Sequence, residues 1–239
     1  MGALCPAPVD PGQIQKQGLT VYGDYFTPET RSIMIMIQMG GIQHEFQPVD
    51  QFKGEHKRED YIKLNPTGSL PTLTEGRFLV LGGYVVFLNY LVNHHRPIKE
   101  KLYPPEFKQQ IDKILLWFQS IMRVCSQRLI RMIIGPQAFG EKQYSQDDIK
   151  ETLDEFFTQI IAMLDRKLQR YEYLCGDDYT VADIQLYNEI FTVLTLHKKQ
   201  LESREYPNVF SWYNKLSGIP EIQESNMKFK EIVNKYNLA

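Results

Sequence analysis

Lys63-Leu64-Asn65-Pro66-Thr67-Gly68-Ser69-Leu70-Pro71-Thr72-Leu73-Thr74-Glu75 is the stretch that decides how this chain folds. It reads as the end of a helix, a turn over Asn65-Pro66-Thr67-Gly68, and a short strand over residues 70–73 that turns at Glu75-Gly76. Proline lacks a backbone N–H, so Pro71 belongs at a strand start or a bulge. That leaves the Leu70 backbone without its usual ladder partner and open to a ligand. A cis Leu70–Pro71 bond would be a deliberate feature, because cis is cheap only before proline. In isolation the stretch is an ordinary proline turn; its weight comes from its neighbours.

Upstream, residues 19–22 alternate weakly and suit a short strand. Thr27-Pro28-Glu29 then has the order of a helix start: N-cap, proline at the first helical position, acid in the first turn. The run Ile33-Met34-Ile35-Met36-Ile37 is apolar all round, so this helix is buried on most sides, and Gly40-Gly41 stops it. Residues 44–49 give a second strand, 50–57 a polar loop and 58–64 a short helix. Downstream of Glu75-Gly76, residues 77–80 are a fourth strand. A helix follows over 82–92, with Val85, Val86, Leu88 and Leu91 inward. The order β-α-β-α-β-β-α over residues 19–95 is an α/β thioredoxin-like domain, a small mixed sheet with helices on both faces. It holds no Cys-x-x-Cys, which speaks against thiol–disulfide exchange.

Residues 96–105 are polar and proline-rich and read as a linker. The remainder, 106–239, reads as an all-helical domain. Ile111, Leu115, Phe118, Met122, Leu129 and Ile133 recur at helical spacing, as do Leu153, Phe156, Ile160, Leu164 and Leu168, giving two pillars of a bundle. A third helix opens at Thr180-Val181-Ala182-Asp183, a capping box with Asp183 in the usual glutamate position. Helices over 210–216 and 221–236 complete the bundle.

The 239-residue chain is 43% hydrophobic and 23% charged, the make-up of a globular protein of one or two domains. A net charge of −2 gives no pull toward nucleic acid or anionic membrane. No apolar run is long enough to be a transmembrane segment. Cys5, Cys125 and Cys175 have neither disulfide nor metal-ligand spacing, which suits an intracellular reducing compartment, cytoplasmic by default; membership of an organellar complex stays open. Residues 1–18 read as an irregular arm rich in proline and glycine, without the marks of a transit or secretory leader. Gly2 invites myristoylation, but Pro6 stands where serine or threonine is wanted.

Four motifs carry a resemblance. They are Asp24-Tyr-Phe-Thr-Pro-Glu-Thr-Arg-Ser32, Leu64-Asn-Pro-Thr-Gly-Ser-Leu-Pro-Thr-Leu73, Tyr103-Pro-Pro-Glu-Phe107 and Tyr179-Thr-Val-Ala-Asp-Ile184. In this order and spacing, across residues 19 to about 236, the chain resembles the cytosolic glutathione transferases, the theta class most closely. The resemblance implies that the first domain binds glutathione as co-substrate and the helical domain receives an electrophile. It implies that the Leu70 backbone, beside a cis Pro71, pairs with the backbone of glutathione. It places Thr27 where theta-like enzymes use a serine hydroxyl to stabilise the thiolate. A hydroxyl donor and the positive end of a helix both lower a thiol's pKa, and the thiolate is the nucleophile. Thr27 is equally readable as a plain helix cap, and the hydroxyls of Tyr22 and Tyr25 are alternatives. His56 matches a histidine that touches the glycine end of glutathione, or is a solvated loop histidine flanked by surface Lys53 and Lys57. Ser69 stands where a polar side chain lies beside the ligand. Arg31 reads as structural, tying the two domains together.

One departure weighs against these matches. Where the family has an acidic residue and a serine to hold the γ-glutamyl end of glutathione, this chain has Gly82-Gly83. The helix N-terminus remains for a carboxylate, but the partner of the ligand ammonium and the hydroxyl are gone. The site is therefore expected to be damaged. Two functions follow from the resemblance: a theta-like transferase acting on electrophiles or hydroperoxides with weakened or lost glutathione binding, or a non-catalytic transferase-fold subunit serving as an interaction module. The latter draws on Gly82-Gly83, the amino-terminal arm and the aromatics Trp117, Phe118, Phe156 and Phe157. Protein partners are expected either way, as a homodimer or a larger complex.

Overall fold

The computed structural model describes residues 18–238. The expected arm over 1–18 thus lies, but for Gly18, outside the described residues. The chain divides into two compact units, one ending at Ile98 and one beginning at Lys99.

The first unit is built on a four-stranded sheet in the order β2-β1-β3-β4, with β1 Leu19–Gly23, β2 His44–Pro48, β3 Thr72–Glu75 and β4 Phe78–Val80. β2 runs parallel to β1, while β3 is antiparallel to both β1 and β4. Helix α1 Pro28–Met39 is buried at every position but Gln38, as its all-apolar middle requires. Helices α2 Glu59–Leu64 and α3 Tyr84–His94 complete the unit's β-α-β-α-β-β-α order. The third strand begins at Thr72, two residues later than expected, because Pro71 has no N–H for the ladder.

The segment expected as a linker is mostly helical. Helix α4 spans Arg96–Leu102 and straddles the division between the units. Pro97 sits in its first turn, where a missing N–H costs nothing, and Ile98 and Leu102, four residues apart, are fully buried. The polar composition of 96–105 concealed this one apolar edge.

The second unit is all-helical: α5 Lys108–Trp117, α6 Arg123–Phe139, α7 Gln146–Glu155, α8 Ala162–Lys167, α9 Val181–Leu196, α10 Pro207–Ser217 and α11 Pro220–Lys235. Each of the two long pillars contains a wider π turn, at Phe118–Met122 between α5 and α6 and at Phe156–Ile161 between α7 and α8. Every residue of α9 except Thr195 is buried, so it is the axis on which the unit packs. One charged group on that axis, Glu189, accepts from Arg123 Nη1 at 3.0 Å and from Ser126 Oγ at 2.5 Å. A carboxylate taken from water survives only with such partners. Among the described residues no helix is long and apolar enough to cross a membrane.

Candidate functional site

The sheet topology gathers the candidate residues at one end. Gly23 pairs with Pro48, Tyr22 with Thr72, and Leu73 with Val80. The close of β1, the close of β2, the start of β3 and the close of β4 therefore share an edge. From that edge issue the turn bearing Thr27, the loop bearing His56, the Ser69-Leu70-Pro71 segment and the Gly82-Gly83 turn.

Thr27 is the residue before α1, yet its side chain makes no capping hydrogen bond to the helix. Its Oγ1 donates instead to the Asp24 carbonyl at 3.0 Å and lies 2.5 Å from Thr30 Oγ1. The same carbonyl already accepts the Thr27 N–H at 3.0 Å. The hydroxyl proton can swing to another acceptor without orphaning the carbonyl, as an activating donor requires. Arg31 is fully buried and its Nη1 donates to the carbonyls of Tyr25 and Phe26, holding this turn from within the first unit. Of the alternative hydroxyls, Tyr25 is in the core with its ring 4.8 Å from Phe46. Tyr22 lines a groove with Gln47 and Tyr61, on the side where α2 packs.

Leu70 is presented by a network the sequence did not disclose. Asn65 is fully buried; its Nδ2 donates to Ser69 O and Thr72 Oγ1, both at 2.9 Å, and its Oδ1 accepts from Thr67 N and Oγ1. The Tyr61 hydroxyl donates to the same Ser69 carbonyl at 2.7 Å. These bonds clamp the backbone on either side of Leu70. The Leu70–Pro71 bond is cis. Leu70 itself is half-buried, and its N–H and C=O take no partner among the described residues. A half-buried pair of main-chain groups left unpaired is an invitation to an extended ligand. Asn65→Ala should cost about 2 kcal/mol, since it removes every hydrogen bond of one buried amide while the Tyr61 hydroxyl still serves the Ser69 carbonyl and Thr72 Oγ1. Urea unfolding measures this, and a loss below about 1 kcal/mol would mean the turn holds without the amide.

His56 lies in a loop of two short 3-10 turns, Gln51–Lys53 and Glu55–Lys57. Its carbonyl passes close to Gly68, where a Cβ would come within 3.3 Å of it, so the loop leans on the turn before Leu70. The imidazole Nδ1 is shielded from solvent and has no hydrogen-bond partner. Burial and the neighbouring Lys57 charge both lower its pKa, favouring the neutral ring. Lys53 is exposed and pairs weakly with Asp50, 3.9 Å away; Lys57 is also exposed. Ser69 is exposed, with its hydroxyl 2.7 Å from Thr67 Oγ1.

Asp24, visible in the sequence only as the first residue of a motif, joins two of these parts. It is buried; Oδ1 accepts from Phe26 N at 2.9 Å and Oδ2 from Gln51 N at 3.2 Å. Burial, helped by the Asp50 charge, holds its carboxyl pKa above the usual value, although the two N–H donors oppose the rise.

At the last corner, Gly83 precedes α3 in extended conformation with no side-chain cap, and a Cβ there would meet nothing within 4 Å. Gly82 differs. Its φ of +134° is one that L residues rarely adopt, and a Cβ would stand 3.0 Å from Val86 Cγ2. The backbone here is shaped for glycine.

The profile of the glutathione S-transferase N-terminal domain matches residues 26–94, and that of the C-terminal domain residues 125–225. The chain belongs to the glutathione transferase family. Its theta-like character shows in its relatives. It is 24% identical over 210 residues to glutathione S-transferase theta-3 of Mus musculus, covering 87% of this chain and 85% of that one. It is 24% identical over 204 residues to glutathione S-transferase theta-1 of Homo sapiens, covering 84% and 83%. The structure of human glutathione-S-transferase T1-1 in its apo form superposes with a TM-score of 0.77 at 25% identity, covering 89% of this chain and 90% of that one. The transferase fold expected from the four motifs, a thioredoxin-like domain followed by an all-helical one, is the fold observed.

Proposed function

We propose that this member of the transferase family still takes glutathione at the shared sheet edge, but holds it weakly. In this reading Thr27 stabilises the thiolate for attack on an electrophile or hydroperoxide. The N–H and C=O of Leu70 carry the argument, because they match the peptide backbone of the tripeptide and no described residue uses them. His56 stands in the loop that leans on the turn before Leu70, the place for a contact with the glycine carboxylate. The weakness lies at Gly82 and Gly83, which offer the γ-glutamyl group neither acid nor hydroxyl. Charge-assisted hydrogen bonds contribute about 1.5–3 kcal/mol each, so two losses amount to roughly a hundredfold or more in affinity.

Calorimetric titration with glutathione, followed by turnover of an aryl halide and an alkyl hydroperoxide, tests this. Binding in the millimolar range with slow turnover is expected; absence of binding there removes the reading. Gly83→Ser should tighten glutathione about tenfold, one hydrogen bond to a charged group being enough for that, because its Cβ has room and the hydroxyl sits at the helix start. Gly82→Glu should not repair the site, since its backbone φ and Val86 oppose any side chain. If Gly82→Glu tightens binding as much as Gly83→Ser, the backbone argument is wrong.

The helical unit supports a second reading, a surface for a protein partner. Leu116, Ile121 and Val124 are 69%, 50% and 65% exposed along the pillar that bends at Phe118–Met122. The aromatics expected to contribute do so poorly: Phe118 and Phe156 are fully buried, and Trp117 and Phe157 are half-buried. Gel filtration of cell extract separates the outcomes: a clean homodimer favours the enzyme, and co-migration at high mass favours the interaction module.

A further inference from the structure

We propose that Asp24 is a positioning residue of the glutathione site, holding the thiol-activating turn and the loop that carries His56 in one register through its two carboxylate oxygens. The proposal deepens the glutathione reading and rests on it.

The geometry divides the work between the two oxygens. Oδ1 accepts the Phe26 N–H at 2.9 Å and so closes the Asp24–Thr27 turn locally. That turn also receives Thr27 N and Oγ1 on the Asp24 carbonyl. Oδ2 reaches across 27 residues of sequence to the Gln51 N–H at 3.2 Å. Gln51 opens a loop that is internally braced. Asp50 Oδ1 accepts from Phe52 N and Lys53 N, Asp50 N donates to Glu55 Oε2 at 2.8 Å, and Glu55 N donates back to Asp50 O at 3.1 Å. Such a loop moves as a piece, and His56 is the residue that follows Glu55. A hold on Gln51 is therefore a hold on His56. The rings of Phe26 and Phe52, 5.0 Å apart and edge to face, lie along the same seam. A further bond, Val49 N to Gly23 O at 2.9 Å, joins the two strand ends just before they diverge.

Beyond that point Asp24 spans the gap with charge-assisted bonds, which are shorter and stronger than neutral ones. Asp24 touches no ligand in this scheme. It sets the distance between the group facing the thiol and the group facing the glycine carboxylate, and a misplacement of about 1 Å in such a pair can cost a hundredfold.

The oxygens can be separated experimentally. Asp24→Asn keeps one acceptor for the local Phe26 N–H but sets an amide NH2 against the Gln51 N–H. Wild type and Asp24→Asn, each as the full chain, are titrated with glutathione and with γ-glutamylcysteine, which lacks the glycine end. The ultraviolet absorbance of bound thiolate is followed against pH in parallel. Wild type should prefer glutathione. Asp24→Asn should lose about tenfold in glutathione affinity and most of that preference, while the titration of the bound thiol stays put. Asp24→Glu, with both acceptors retained on a longer arm, should recover part of the preference. A merely structural role would weaken both ligands alike, and equal weakening overturns the proposal. So does an Asp24→Asn variant whose preference is unchanged although wild type binds glutathione; this sinks the Asp24 role and leaves the glutathione reading standing. Wild type that binds neither compound sinks both.

Discussion

Asp183→Ala is expected to lower the stability of the helical unit by about 4 kcal/mol, a size reserved for buried polar networks that lose a member. The carboxylate is fully buried and receives four donors at 2.9 Å each: Leu174 N, Thr180 N, Thr180 Oγ1 and Trp212 Nε1. Burial pushes its pKa up and these donors pull it down. The four bonds come from the segment before α9, from its N-cap and from α10, so one side chain joins three pieces. Alanine leaves at least three N–H groups buried without acceptors, at about 1–3 kcal/mol each. Asp183→Asn should cost about half as much, because its remaining oxygen still serves Leu174 and Trp212 while the Thr180 hydroxyl can turn to accept. Thermal unfolding of the two variants is the measurement. Equal midpoints for alanine and wild type would show that α9 is anchored without its capping box.

Thr27→Ala is expected to reduce kcat/KM about a hundredfold, the scale for removing one donor from a developing or resting anion, with stability changed by less than about 1 kcal/mol. The contrast separates the two roles open to this residue. A helix cap would give the opposite result, a stability loss of about 1 kcal/mol with chemistry intact. The structure favours the first outcome because the Thr27 side chain caps no backbone N–H of the helix it precedes. Its proton rests on a carbonyl that has a second donor, and its oxygen lies against Thr30 Oγ1. Thr27→Ser should retain activity. Thr27→Val, which keeps the shape without the hydroxyl, should match alanine. An alanine variant with wild-type turnover, or an unmoved pKa of the bound thiol, would transfer the role to another group.

Much of the local structure could be read from residue order because it rests on local rules. Thr27-Pro28-Glu29 announces a helix start, Pro71 must stand outside a ladder, and Thr180 with Asp183 forms the capping box expected of them. Asn65 was legible as a turn residue but not as the clamp on Ser69 and Thr72, since its partners are chosen by the fold of the turn. Asp24 is legible only as part of a motif; its bond to Gln51 exists only once β1 and β2 lie side by side. The π turns in the two pillars were not legible, because a wider i→i+5 turn is set by packing and has no residue signature of its own.

The amino-acid sequence alone determined the element order of the first unit and the two-part architecture, because periodicity and caps act over a few residues, and its four motifs carried the resemblance to the family. Tertiary structure alone decided that α4 replaces a linker, that Leu70 stands unpaired among the described residues and that Thr27 leaves its helix uncapped. It also decided that Gly82 occupies a conformation closed to other residues. Each of these depends on which groups meet across the sheet edge or between helices, and hydrogen bonds between residues far apart in sequence have no local signature.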